Sequence, residues 1–302
     1  MKRPILVIMG ATASGKTALS IKLAQANGGE ILCVDSRQFY SEMSLGTCAP
    51  TQTEKTLVIH HGLNFLNPNE SYSTDKFVEE FGHHLTRQTE TPLIIVGGSG
   101  LYLSKLLLES TPARSPASPE IQEKVKTLES TLKNQGFHDF LKAHDPLRSQ
   151  QIHPHDRYRI AKALENYFCT GQSYTLQKND KKWKESILSR NVYCLNLPRE
   201  RLFQRIKERT SQLLHCGWLQ EVEVLINKGY DFELPAFQAI GYREIQQYHR
   251  GKVTLDELRK DIVQKTQKYA KRQTFFFKSQ FPEMNILGKS GEESEISTFF
   301  KG

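Results

Sequence analysis

The stretch "GATASGKT", Gly10 to Thr17, fits the template G-x-x-x-x-G-K-[ST] without a mismatch. Its residue types suit a polyphosphate. Gly10 and Gly15 let the backbone across Ala11, Thr12, Ala13 and Ser14 turn its N–H groups inward, and a following helix adds a positive dipole end. Lys16 is a mobile point charge that can follow negative charge growing on a phosphate. Thr17 offers a hydroxyl to Mg²⁺, which takes oxygen ligands and keeps several waters.

Other residues could join that chemistry. Asp35 closes the apolar run "EILCVD" and precedes "SRQ". An acid there serves either as a second metal carboxylate or as a general base, because an ordinary Asp is ionised at pH 7. "GGSGLY" (Gly97 to Tyr102) is either a tight turn for helix–sheet packing or a way to bring the Ser99 hydroxyl near phosphates. Arg205 and Arg209 are four apart in "LPRERLFQRIKERTSQLL", so both point to one side of a helix. There they could clamp a diphosphate bidentately, or pair with Glu200 or Glu208. Arg157, Arg159 and Lys162 share a helix with Ile160, Leu164 and Phe168 on its other face, and read as a solvated face or an RNA contact. "KTQKYAKRQTFFFK" (Lys265 to Lys278) mixes basic residues with aromatics. Such a mixture suits single-stranded RNA, and equally an amphipathic helix that buries its rings.

The elements needed to position these groups are legible. "PILVIM" (Pro4 to Met9), Glu30 to Ser36, Pro92 to Gly100 and Asn191 to Leu197 read as strands. "TALSIKLAQANGG" reads as a helix closed by Gly28-Gly29, and "LYLSKLLLE" as another. Strands alternating with helices imply a mostly parallel sheet whose ligands lie beyond the strands' carboxyl ends. "STPARSPASPE" (Ser110 to Glu120) reads as a linker, with Ser118-Pro119-Glu120 opening a helix. "HPHDRYRIAKALENYFCTG" forms another helix, ending at Gly171. Residues 113–187 are therefore expected to form a helical insertion within an α/β core of residues 1–112 and 188–302. The final "GKSGEESEIS" reads as loose.

Composition narrows the partners. The 302 residues carry a net charge of +8, with 38% hydrophobic and 25% charged residues, so a folded protein with a polyanionic partner is expected. The five cysteines include no C-x₂₋₄-C pair, so neither a zinc site nor a disulfide framework is indicated. The apolar run after "MKR" is too short for a signal peptide, and no stretch approaches transmembrane length. A cytoplasmic protein is expected.

Together these stretches resemble the bacterial tRNA dimethylallyltransferases, also called tRNA isopentenyltransferases. The resemblance runs through "GATASGKT", "DSRQFY", "GTCAPT", "HHGLNFLNPNESYS", "VGGSGLY", "IHPHDRYRIAKALE", "GYREI" and "YAKRQ". It implies a P-loop NTPase-like α/β core with a helical insertion domain and C-terminal helices. It also implies transfer of a dimethylallyl group from dimethylallyl diphosphate to the N6 amine of an adenosine. That adenosine is 3'-adjacent to the anticodon (position 37) of tRNAs reading codons that begin with U. Diphosphate leaves.

In this reading Lys16, Mg²⁺ on Thr17 and the N–H groups of Ala13 to Lys16 take up the leaving group's charge. Asp35 removes the amine proton, while Ser36, Arg37 and Gln38 hold the adenine. Ser99 stands where the family usually has threonine and keeps the hydroxyl. The base must leave the anticodon-loop stack to reach Asp35. The implied tRNA contacts are Tyr158, Arg159, Ile160, Ala161 and Lys162, then Phe237 to Arg243 (with Gln238, Gly241, Tyr242 and Arg243), and finally Lys271, Arg272 and Gln273 onward to Lys278. Partners are tRNA and the prenyl diphosphate, the cofactor is Mg²⁺, and a monomer is expected. Ala11 replaces a usual proline, and Tyr158 and Lys162 replace a usual glutamine and arginine. An adenylate isopentenyltransferase, a small-molecule P-loop kinase and a nucleotide-gated RNA-binding protein are the competing readings.

Overall fold

The computed structural model describes residues 3–109, 117–173, 182–188, 191–281, 283–288 and 296. The chain divides into two compact units, Met1–Leu108 with Lys181–Gly302, and Glu109–Asp180.

In the first unit, β1 (Ile5–Gly10), α1 (Lys16–Asn27), β2 (Glu30–Cys33), α2 (Gln52–Leu57), β3 (His60–His61), α3 (Thr74–Phe81), β4 (Leu93–Gly97) and α4 (Gly100–Leu107) follow in turn. The second unit holds α5 (Pro119–Thr131), α6 (Asn134–His144), α7 (Pro146–Ser149) and α8 (Arg157–Thr170). The chain then returns to the first unit with β5 (Val192–Leu195), α9 (Arg199–His215), α10 (Trp218–Asn227), α11 (Tyr242–His249), α12 (Leu255–Gln280) and β6 (Asn285–Leu287).

The six strands form one parallel sheet in the order β3-β2-β4-β1-β5-β6. All four strands expected from sequence are present. β3 and β6 are too short to show a period and form by pairing with β2 and β5. Alternation along β1 sends Val7 and Met9 into one core with Leu103 and Phe277, and Leu6 and Ile8 into another with Leu19 and Leu23 of α1. Both faces are covered, which is why the central strands are continuously apolar.

Glycines let strand ends approach one another. A Cβ on Gly10 would stand 2.7 Å from the Leu195 carbonyl, and one on Gly97 only 2.0 Å from that of Val34. α1 ends as expected, at Gly28 in the left-handed conformation (φ 61).

In the helical unit Ser118 caps α5, accepting the Ile121 N–H. α8 starts at Arg157 rather than within "HPHD", because the Asp156 side chain accepts the Arg159 N–H and fixes the start there; it ends at Gly171. This unit's core holds Val125, Phe137, Leu141, Ile160, Ala161 and Leu164. Ile160 and Ala161 are therefore packing residues, a correction to their expected place among tRNA contacts. Residues 182–187 also differ from expectation. Trp183 bridges to Leu108 and Ile187 joins the core of the sheet unit, so this segment belongs there and not to the insertion. Most of the expected linker (110–116) and of the expected loose tail (289–295 and 297) lies outside the described residues.

At the amino-terminal end of β2, Arg3 Nη2 donates to Glu30 at 2.6 Å, and the His61 Nε2 lies 3.2 Å from the same oxygen. The buried His84 ring lies tilted against those of His61 and His83, with centroids 4.3 and 4.2 Å away. With Arg3 already on Glu30, this cluster is an ion network that ties the amino terminus to β2 and β3. Burial, then the neighbouring His61, His83 and Arg3, pulls the His84 pKa down to about 4. The unfolded chain takes up that proton near pH 6.5, so the stabilisation is complete above that pH and is lost as pH falls towards about 4. Melting temperature should therefore drop across this window, and His84→Leu should flatten the drop.

Candidate active site

The loop between β1 and α1 crosses the carboxyl end of the sheet. Two left-handed residues fix its turn, Ala13 (φ 65) and Gly15 (φ 99). Lys16 folds back onto it: its Nζ donates to the Ala11 carbonyl at 2.9 Å, which also accepts the Ser14 N–H at 3.2 Å. An arriving anion must draw Lys16 away from that carbonyl. The Ser14 hydroxyl is buried and has no hydrogen-bond partner among the described residues, which leaves a donor for a ligand oxygen. Gly10 and Ala11 are buried beneath the loop and shape it.

Helix α9 lays both expected arginines on this loop. Arg205 Nη1 donates to the Ser14 carbonyl at 3.2 Å, and Arg209 Nη2 to the Thr12 hydroxyl at 2.8 Å. Glu208 instead accepts from Gln204, at 2.8 Å. Both arginines therefore reach the phosphate loop, while Glu208 turns to Gln204.

A cavity of about 570 Å³ lies over the loop, lined by Lys16, Thr17, Asp35, Gln38, Arg205 and Arg209 among others. A second, of about 360 Å³, is lined by Asp35, Arg37, Trp218, Gln238, Tyr269 and Arg272 among others. Thr12, Asp35, Thr47, Cys48, Arg209 and Leu213 line both. Asp35 thus stands where the cavity over the loop meets a second chamber.

The turn after β2 fixes that carboxylate. Its Oδ1 accepts the Arg37 N–H at 3.1 Å, and its carbonyl accepts the Gln38 N–H at 2.9 Å. The Ser99 hydroxyl accepts the Ser36 N–H at 2.9 Å and lies 3.2 Å from the Ser36 Oγ. Burial pushes the Asp35 pKa up, against the Arg37 N–H and the Lys16 charge. Burial pulls Lys16 down to about 8, helped by Arg209 and opposed by Asp35.

Several expected nucleic-acid contacts turn inward. Tyr242 and Phe237 are fully buried, and a Cβ on Gly241 would stand 2.0 Å from the Trp218 ring. Gln273, 6% exposed, bonds to Thr12 and Gly98 in the protein interior. Arg243 Nε donates to the Phe232 carbonyl at 2.7 Å, and Arg37 Nη1 to that of Pro235 at 2.7 Å. These two hold the segment that presents Gln238 to the second cavity. Gln38 spans to the Thr47 and Cys48 carbonyls at 3.2 and 2.9 Å. On α8, Tyr158 is 71% exposed, with Arg159 and Lys162 paired to Asp156 and Glu165. On α12, Phe277 is buried while Lys271, Arg272 and Phe275 are exposed, so the helix buries one ring and presents basic and aromatic residues on another face.

Thr47 and Cys48 were not foreseen as lining residues. The turn signal of Gly46 beside them marks the place but not its use.

Two family descriptions match the sequence: IPP transferase over residues 38–280, and Isopentenyl transferase over residues 3–61. The chain belongs to the IPP transferase family. It is 34% identical over 301 residues to a tRNA dimethylallyltransferase of Crocosphaera subtropica, covering 100% of this chain and 97% of that one. The corresponding protein of Staphylococcus carnosus is 37% identical over 285 residues, covering 92% and 89%. The crystal structure of a tRNA delta(2)-isopentenylpyrophosphate transferase from Staphylococcus epidermidis superposes with a TM-score of 0.68 at 29% identity, covering 99% of each chain. A eukaryotic dimethylallyltransferase acting on tRNA gives 0.77 at 26% identity, covering 95% of this chain and 74% of that one. The parallel sheet with its phosphate loop is the fold this family shares.

Because an anion favours the charged form of Lys16, pyrophosphate affinity of the free protein should fall as pH rises through about 8. Calorimetric titration across that range reads the step, and Lys16→Ala should remove it.

Proposed function

We propose that the chain transfers a dimethylallyl group from dimethylallyl diphosphate to the N6 amine of the adenosine at position 37 of tRNAs reading codons that begin with U. One observation carries this: Asp35 is shared by the cavity over the phosphate loop and by the second cavity. The names of the chain's relatives agree with the reaction class.

An adenine amine is a weak nucleophile because its lone pair is spread into the ring, so the allylic carbon needs a well-stabilised leaving group. Lys16, Arg205 and Arg209 hold and neutralise the diphosphate from the loop side. Asp35 takes the amine proton as the N–C bond forms. Ser99 and the Arg37 N–H hold the Asp35 turn in place. The Thr17 hydroxyl and the Asp35 carboxylate give the first cavity hard oxygen donors of the kind Mg²⁺ takes, and Thr17 would hold the ion. When bound, Mg²⁺ supplies further positive charge to the leaving group.

The adenine enters the second cavity, between Trp218, Gln238 and Tyr269. The exposed Lys271, Arg272 and Phe275 of α12, and Tyr158, Arg159 and Lys162 of α8, are assigned to the RNA. No helix among the described residues is long and apolar enough to cross a membrane. The protein is taken to act as a cytoplasmic monomer.

Incubating the chain with unmodified tRNA, dimethylallyl diphosphate and Mg²⁺, then weighing the nucleosides, tests the assignment. Asp35→Ala should slow transfer roughly 10²- to 10⁴-fold while tRNA binding persists. A base must be ionised, and the Asp35 pKa is raised, so the rate should decline with acid at a higher pH than the ordinary carboxylate value of about 4. On the RNA side, Lys271→Ala with Arg272→Ala should flatten the salt dependence of tRNA binding. Phe275→Ala should weaken binding about tenfold with the salt slope unchanged, since stacking releases no counterions.

A further inference from the structure

Gln273 directly follows two exposed cations on α12, Lys271 and Arg272, yet its amide faces inward. Its Oε1 accepts the Thr12 N–H at 2.8 Å, and its Nε2 donates to the Gly98 carbonyl at 2.8 Å. Each partner belongs to one half of the site. Thr12 sits in the phosphate loop, and its hydroxyl holds Arg209. Gly98 precedes Ser99, whose hydroxyl receives the Ser36 N–H in the turn that carries Asp35. A single rigid amide therefore spans from the leaving-group cradle to the strand end behind the base. The fit is close, since a Cβ on Gly98 would stand 2.6 Å from the Gln273 Nε2 and 3.5 Å from the Asp35 Oδ2.

We propose that Gln273 is a positioning residue that sets the register between the diphosphate cradle and Asp35. The inference rests on the function proposed above. Glutamine suits the place because one planar group supplies an acceptor on one side and a donor on the other. A hydrocarbon side chain would leave the Thr12 N–H and the Gly98 carbonyl unpaired, and they would drift to other partners. A shift of about 1 Å between reacting groups is enough to cost roughly 100-fold in rate. The exposed cations of α12 are not touched by such a change, and Arg205 keeps its own bond to the Ser14 carbonyl.

The test compares wild type, Gln273→Met, Gln273→Glu and Gly98→Ala in single-turnover transfer at saturating dimethylallyl diphosphate, Mg²⁺ and tRNA. tRNA affinity and pyrophosphate affinity are measured alongside. Gln273→Met and Gly98→Ala should slow the saturated rate about 100-fold, with both affinities within about threefold of wild type. Gln273→Glu keeps the acceptor for Thr12 and loses the donor for Gly98, so its rate should fall between. Should Gln273→Met fail to fold, Gly98→Ala and Gln273→Glu read the same register. Unchanged rates in the folded variants, or a loss confined to tRNA affinity, would overturn the proposal. A wild-type chain that leaves tRNA unmodified would instead overturn the functional reading beneath it, and that control is read before any variant.

Discussion

Lys16 and Asp35 each oppose the loss of the other's charge. Burial alone would drive each towards its neutral form, raising the acid's pKa and lowering the amine's, and the opposite charge of the partner opposes both shifts. A cleft that must accept a polyanion cannot hold cations only, because Arg209 already pushes protons off Lys16. The carboxylate resolves this, and it does so from a position fixed by backbone. Asp35 can occupy that position only because Gly97 lets the Val34 carbonyl pass within what would be 2.0 Å of a Cβ. The strand ends, their glycines and the turn that follows β2 all serve this one pair.

Sequence revealed this half of the site because its determinants are local. A phosphate loop is one contiguous stretch, and an acid at the end of an apolar strand is visible as such. The same holds for Arg205 and Arg209, whose spacing alone puts them on one side of α9. What stayed hidden depends on partners far along the chain. Gln273 follows two exposed cations, and nothing in "AKRQT" tells that its amide meets Thr12, 261 residues away. Tyr242 and Ile160 sit in polar, basic surroundings in sequence, yet helix packing turns them into cores. β3 and β6 have two and three residues and exist only through pairing with neighbours.

The C-terminal helices have a second task besides offering charge to a partner. Glu221 of α10 accepts the N–H groups of Leu45 and Gly46 at 2.7 and 3.0 Å. The Tyr242 hydroxyl of α11 donates to the Met43 carbonyl at 2.9 Å and approaches Glu221 at 2.8 Å. Trp218 packs so closely that neither Gly46 nor Gly241 could carry a Cβ. These contacts suspend the segment 43–48, whose Thr47 and Cys48 wall both cavities. Inward-facing residues of α10 and α11 thus build the chamber, while the solvent faces of the helices remain available for a polyanion.

The chamber's chemistry bears on what the phosphate loop serves. Past Lys16 and Thr17 the first cavity is lined by Ile31, Cys33 and Val96. Burial raises the pKa of Cys33 and of Cys48, so both stay neutral thiols and behave as small apolar groups. The patch of Ile31, Val96 and uncharged thiols gives this otherwise mainly polar cavity a place where a hydrocarbon joined to a diphosphate would fit. The second cavity, with Trp218, Ile240 and Tyr269 beside Arg37 and Arg272, suits a flat base on an anionic backbone. The proposed joining of a hydrocarbon to a base would use both chambers together with the carboxylate between them.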